Sequence, residues 1–131
     1  MANMKANQIQ KIVFYKQDFP GVIHSPSSVG ISTNKKLYCY DGLSGKRRFG
    51  NSEHSWQLWR ELTALLILKG IDSWKAEYDN PDILDGYGWT LILSLQDGTI
   101  RHHAGINDQP NGLDEIESMF NTLVSSIANR Q

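Results

Sequence analysis

Hydrophobic and polar residues alternate in short bursts along most of this chain, and settle into the three-to-four spacing of an amphipathic helix in two places. "QKIVFYK" (Gln10 to Lys16) is short, apolar and rich in β-branched and aromatic residues, which predicts a strand. "FPGVIHSPSS" then interrupts it with two prolines and a glycine, the composition of a loop. "VGIST" and "KLYCY" flank "NKK" as a hairpin-like pair, with Leu37 and Cys39 on one face and Tyr38 and Tyr40 on the other. "DGLSGKRRFGN" is turn-rich and is read as a loop. Asn51 or Ser52 is placed to cap the helix that follows, in which Trp56, Trp59, Leu62 and Leu66, flanked by Leu58 and Leu65, recur at helical spacing up to Gly70.

The second half repeats this order. "DSWKAEY" alternates Trp74, Ala76 and Tyr78 against polar neighbours, as in a half-buried strand, before the loop "DNPDILDGYG". "WTLILSLQ" and "TIRHHAGI" then lie on either side of Asp97-Gly98, which suits a two-residue hairpin turn. Counting outward from that turn pairs Ser94 with Arg101, Leu93 with His102, Ile92 with His103 and Leu91 with Ala104. Trp89, Leu91, Leu93 and Leu95 would then share the inward face with Ile100, His102, Ala104 and Ile106, leaving His103 outside. The closing helix opens at Asn111 as its cap, has acids in its first turn, and repeats Leu113, Ile116, Phe120, Leu123 and Ile127 on one side.

Strand, strand, strand, helix, twice over, predicts an α+β fold: an antiparallel sheet of about six strands covered on one face by two helices, with two β-β-β-α halves at about 9–69 and 72–129. At 131 residues the chain fits one domain spanning 1–131, large enough for a core without staples. The opening residues lack the apolar stretch of a secretory signal, and the longest apolar run, Ala64 to Leu68, is too short to cross a bilayer, so a cytoplasmic location without membrane insertion is expected. Cys39 is the single cysteine, which excludes an intrachain disulfide and a thiolate zinc cluster within one chain.

A net charge of −1 hides a split. Residues 1–69 hold ten Lys and Arg against four acids, a balance of +6, whereas residues 70–131 hold three against ten, a balance of −7. Such halves can steer a charged partner or attract each other within one domain.

Several reactive constellations fail on geometry or spacing. Adjacent residues of a strand point to opposite faces, so His102 and His103 cannot share an ion without a bulge, and no His-x-x-x-His spacing occurs. Asp79, Asp82 and Asp85 cluster near Trp89, but glycosidase-like chemistry needs two opposed carboxylates at a controlled separation. "GLSGKRR" places Tyr40 and Arg47 where a P-loop needs its first glycine and its Ser or Thr, and "DGYGW" enters a strand where a dinucleotide fingerprint leaves one. No nucleophile-elbow pattern is present. The reading is therefore non-enzymatic, with no cofactor and no metal.

Two binding surfaces are expected. Lys35, Lys36, Lys46, Arg47 and Arg48 flank Tyr38, Tyr40 and Phe49, a combination able to contact phosphates and stack bases, which makes nucleic acid an alternative partner. Asp72, Glu77, Asp79, Asp82, Asp85 and Tyr87, with Trp74 and Tyr78 interleaved, have the acids and aromatic anchors of a protein interface that would favour a basic partner. A small-ligand pocket between sheet and helices, lined by His102 and Asp85, is a further alternative.

The stretch "SWKAEYDNPDILDGYGWTLILSLQDGTIRHHAGINDQP" resembles a pattern found in small bacterial proteins of unknown function. It combines a Trp and Tyr strand (Trp74, Tyr78), Asp85-Gly86 ahead of a strand led by Trp89, the Asp97-Gly98 hairpin, and a Gly-x-Asn-x-x-Pro exit at Gly105, Asn107 and Pro110. The resemblance covers about the last 60 residues and is loosely immunity-protein-like. It carries no known chemistry; small size, the absence of catalytic motifs and the acidic aromatic segment are what point to a cytosolic protein-interaction module, most concretely an immunity-type inhibitor that masks a bacterial toxin with a basic domain.

Overall fold

Alternating apolar residues make one side of each strand sticky, and the fold joins those sides into a single floor for two helices. The computed structural model describes residues 4–18, 26–42, 44–81 and 86–128. Strands β1 (Ile9–Asp18), β2 (Ser28–Ile31), β3 (Leu37–Asp41) and β4 (Lys46–Phe49) precede helix α1 (Glu53–Leu68); β5 (Glu77–Asp79), β6 (Tyr87–Leu95) and β7 (Ile100–Ile106) precede α2 (Leu113–Ala128). All seven strands form one sheet in the order β4-β3-β2-β1-β6-β7-β5, antiparallel except where β5 runs parallel to β7. The fold is thus α+β, with β4 added where a loop was read. β4 lacked a strand signal because "KRRF" sits at an edge with every residue exposed, so no buried face left an alternation to read.

The seam is the long antiparallel pairing of β1 with β6, where Ile12 faces Leu93 and Phe14 faces Leu91. These residues, with Val29, Leu37 and Cys39, pack against Leu58, Leu62, Leu66, Leu113, Ile116, Phe120 and Leu123 of the helices in one core. Phe14 meets Phe120 edge-on at 5.8 Å, a favoured aromatic geometry. Ser52 caps α1 by accepting the Ser55 N–H, and the buried Ser55 hydroxyl bonds Ser126 of α2 at 2.9 Å. Gly70, at φ 75°, turns the chain out of α1. Before α2 the cap is Gly112, not Asn111: its carbonyl accepts the Ile116 N–H, the first helical bond, at φ 96°.

The opening strands of the halves take different places, β1 antiparallel beside β2 and β5 parallel beside β7. Of the alternating "DSWKAEY", Asp72 and Ser73 belong to a 3-10 turn that starts at Ile71, and only Glu77 onward enters the sheet. Trp74 instead packs edge-on against Trp89 and donates its indole N–H to the Lys69 carbonyl.

The β6–β7 register differs by one residue from that counted above. Leu95 N–H bonds the Thr99 carbonyl, Gly98 N–H bonds the Leu95 carbonyl, and Asp97 Oδ1 accepts the Thr99 N–H at 2.8 Å. Gln96, Asp97 and Gly98 therefore make a three-residue loop in which Gly98, at φ 89°, takes the left-handed position. A two-residue type I′ turn would also force Asp97 left-handed; the longer loop confines that demand to glycine. Leu93 consequently pairs with Arg101, Ile92 with His102 and Leu91 with His103. A slip of one exchanges the faces of β7: His103 is buried, while His102, Ile100 and Ile106 are exposed.

Trp89 fixes the exit from β7. Its indole N–H donates to the Asp108 carbonyl at 2.7 Å, passing over Gly105, where a Cβ would collide with both groups. Asn107, left-handed at φ 59°, accepts the Tyr87 N–H on Oδ1 at 2.8 Å, in space that a Cβ on Gly86 would fill. The glycines and asparagine of the exit are thus explained by backbone approach.

Candidate interaction surface

Both helices lie on one face of the sheet, and the opposite face is covered by neither. Register sets two rungs across it: Tyr15, Thr90, Ala104 and Glu77 in one, Gln17, Gly88, Ile106 and Asp79 in the next. Thr90, Gly88 and Ala104 are small, so the middle of each rung is low. Tyr15 and Gln17 rise on one side, and β5 and Ile106 rise on the other, enclosing a groove of about 390 Å³. Glu77 and Asp79 are exposed at its outer lip, and Ile106 is 49% exposed. The groove is therefore apolar along its floor and anionic along one margin.

The acidic and aromatic candidates of residues 72–87 separate in space. Glu77 and Asp79 border the groove. Asp72 is a strap: one carboxylate oxygen accepts Arg101 Nη1 at 3.1 Å and the other accepts the Met4 N–H at 2.8 Å, tying the amino-terminal segment to β7. Tyr87 lies on the helix side, with Lys16 Nζ over its ring at 4.8 Å and its hydroxyl donating to Gln109. Burial raises its hydroxyl pKa, offset in part by Lys16 and reinforced by Asp108 and Asp114. Asp82 and Asp85 lie outside the described residues, as does His24.

At the opposite end of the sheet, β4 brings the basic residues together with rings. Arg47 and Phe49 share the open face with Tyr40 and Tyr38, their partners in register, while Arg48 and Lys46 point to the helix side opposite Cys39 and Asp41. The Arg47 guanidinium lies 4.8 Å over the Tyr38 ring, and Phe49 stands 6.2 Å from that ring, a cation–π and ring arrangement on one face. Lys35 and Lys36 occupy the turn between β2 and β3, beside the Phe49 end of β4.

His103 sits between Trp74, at 5.9 Å, and the Lys75 carbonyl, which lies 2.7 Å from Nδ1. Nδ1 therefore carries the proton, and Nε2 is buried without a hydrogen-bond partner among the described residues. Burial pushes its pKa below the usual histidine value; the bond to Lys75 opposes this, and the charges of Arg101 and His102 add to it. His102 stands on the open face, so it does not line the sheet–helix interface, which fully buried Leu62, Leu66, Leu91, Leu93, Leu113 and Leu123 fill. Cys39 is buried beneath the helices, which pushes its thiol pKa up. Among the described residues no group of three or more His, Cys, Asp or Glu is placed to hold a metal ion, and no helix is long and apolar enough to cross a membrane.

Sequence reasoning missed Tyr15, Gln17, Thr90, Ala104 and Ile106 as members of one surface. Gln17, Thr90 and Ala104 fall on the polar or small half of their strands' alternation, whereas Tyr15 and Ile106 give no such signal; what joins them is register between strands far apart in the chain. Comparison of the chain with family models, with curated proteins and with solved structures finds no match in any of the three.

Proposed function

We propose that this protein is a non-catalytic protein-interaction module, most concretely an immunity-type inhibitor that docks on a basic toxin domain and masks it. The observation that carries this reading is the groove on the open face, bordered by Glu77 and Asp79 on the edge strand. A partner segment with an apolar side chain for the floor and Lys or Arg beside it would match both the shape and the sign of charge. Acids at the lip also speed capture of a cationic partner at low ionic strength.

The test is co-expression with the product of the neighbouring reading frame. The wild-type chain is expected to protect the cells and to co-purify with that product. Glu77→Lys combined with Asp79→Lys is expected to weaken the complex by about tenfold or more, chiefly through slower association. A complex indifferent to both reversals, or no complex and no protection, overturns the reading.

A further inference from the structure

We propose that the open face of the β3–β4 edge is a second, separate site that binds single-stranded nucleic acid, with Lys35, Lys36 and Arg47 on phosphates and Phe49 as the stacking ring. Two observations converge there. The fold gathers cations from two segments, the β2–β3 turn and β4, along one edge of the sheet. Among the described residues none of these three forms an ion pair: the pairs within 4 Å engage Lys16, Lys69 and Arg101.

Edge protection alone would explain the charges, because Lys and Arg discourage edge-to-edge pairing of sheets. It does not explain Phe49, whose side chain is 51% exposed amid that charge. A ring with an open face next to a guanidinium is what base stacking uses. Tyr40, paired in register with Arg47 on the same face, offers a second half-buried ring two residues along the ladder.

Geometry favours unpaired bases. A two-stranded ribbon can enter a major groove only when free on both sides, and β3 is held by β2 in the sheet. An exposed ring on a flat face can stack only on a base that is not already stacked in a duplex. The acidic edge at β5, the far end of the sheet, would repel phosphates and so confine the strand to the β4 end.

The experiment is fluorescence anisotropy of a labelled ten-nucleotide oligothymidine or oligouridine with the full chain at 50, 100 and 200 mM salt. Three phosphate contacts give an expected log–log salt slope of about −2. Phe49→Ala is expected to weaken binding by about tenfold with the slope unchanged, and Arg47→Ala to make the slope shallower by about 0.7. Phe49→Leu keeps an apolar side chain against Tyr38 and should weaken binding similarly while leaving the circular dichroism melt as in wild type. No binding at 50 mM salt overturns the proposal. So does tighter binding to a duplex of the same length, equal binding to polyglutamate, which would mark a site for acidic proteins, or a Phe49→Leu variant that binds as wild type.

Discussion

Replacing Asn107 isolates how the exit from β7 is held. Asn107 and Tyr87 are joined twice: the Asn107 N–H donates to the Tyr87 carbonyl at 2.9 Å, and Asn107 Oδ1 accepts the Tyr87 N–H at 2.8 Å. The residue is also left-handed, at φ 59°. Asn107→Ala removes the acceptor, leaving a partly buried N–H unpaired at about 1–3 kcal/mol, and leaves a Cβ in a left-handed conformation that costs about 1–2 kcal/mol without the local side-chain bonding by which asparagine offsets it. Asn107→Gly removes the same acceptor but tolerates the backbone. The expected losses are therefore about 3 kcal/mol for alanine and about 1.5 kcal/mol for glycine.

Equilibrium urea unfolding followed by tryptophan fluorescence measures both, since Trp89 bonds the next residue's carbonyl. At about 2 kcal/mol per molar urea, the alanine variant should unfold about 1.5 M earlier than wild type and the glycine variant about half as far below it. Equal losses would show that the left-handed backbone contributes nothing. Losses below about 0.5 kcal/mol in both would refute the claim that this exit is held by Asn107.

Gly105→Ala should cost about 2 kcal/mol or more in the same assay, because the added methyl collides with the Trp89 indole and the Asp108 carbonyl; a neutral effect would mean the indole bond is not formed. His103 has a folded pKa below its ordinary value of 6.5, so as pH falls through about 6.5 the unfolded chain takes up a proton that the folded chain refuses. Stability should be full above that pH and fall below it by at most about 1.4 kcal/mol per pH unit; His103→Gln should flatten the pH 7 to 5 portion of urea titrations, and an unchanged slope would remove His103 as the cause. The Cys39 thiol, buried and raised in pKa, should react with a thiol-specific disulfide reagent only as fast as the protein unfolds; prompt stoichiometric reaction in native buffer would contradict its burial.

How much was legible in the sequence follows from which positions have one dry side. Leu62, Leu66, Leu113, Ile116 and Leu123 sit on helices that must bury a stripe, and all are fully buried. Val29, Leu37 and Cys39 follow the same logic in strands. β4 was illegible because its residues are wet on every side. The histidines were misassigned for a different reason: face follows from register, register from loop length, and Asp97-Gly98 is compatible with both a two-residue and a three-residue loop. Their spacing could not choose between those loops; the Leu95–Thr99 pairing, with Gly98 left-handed and Asp97 not, is the three-residue one.

The charge split shows what topology adds to composition. The +6 and −7 balances of the two halves could have cancelled face to face had their strands interleaved. Instead every strand of the first half lies on one side of the β1–β6 seam and every strand of the second half on the other. The basic β4 and the acidic β5 therefore end at opposite edges, separated by five strands, or about 29 Å at the usual spacing between neighbours. That exceeds the Debye length of about 8 Å at physiological ionic strength, so the two ends barely attenuate each other's fields. Each can present its own sign of charge to solvent, and an acidic groove and a basic, ring-bearing edge can coexist on one open face.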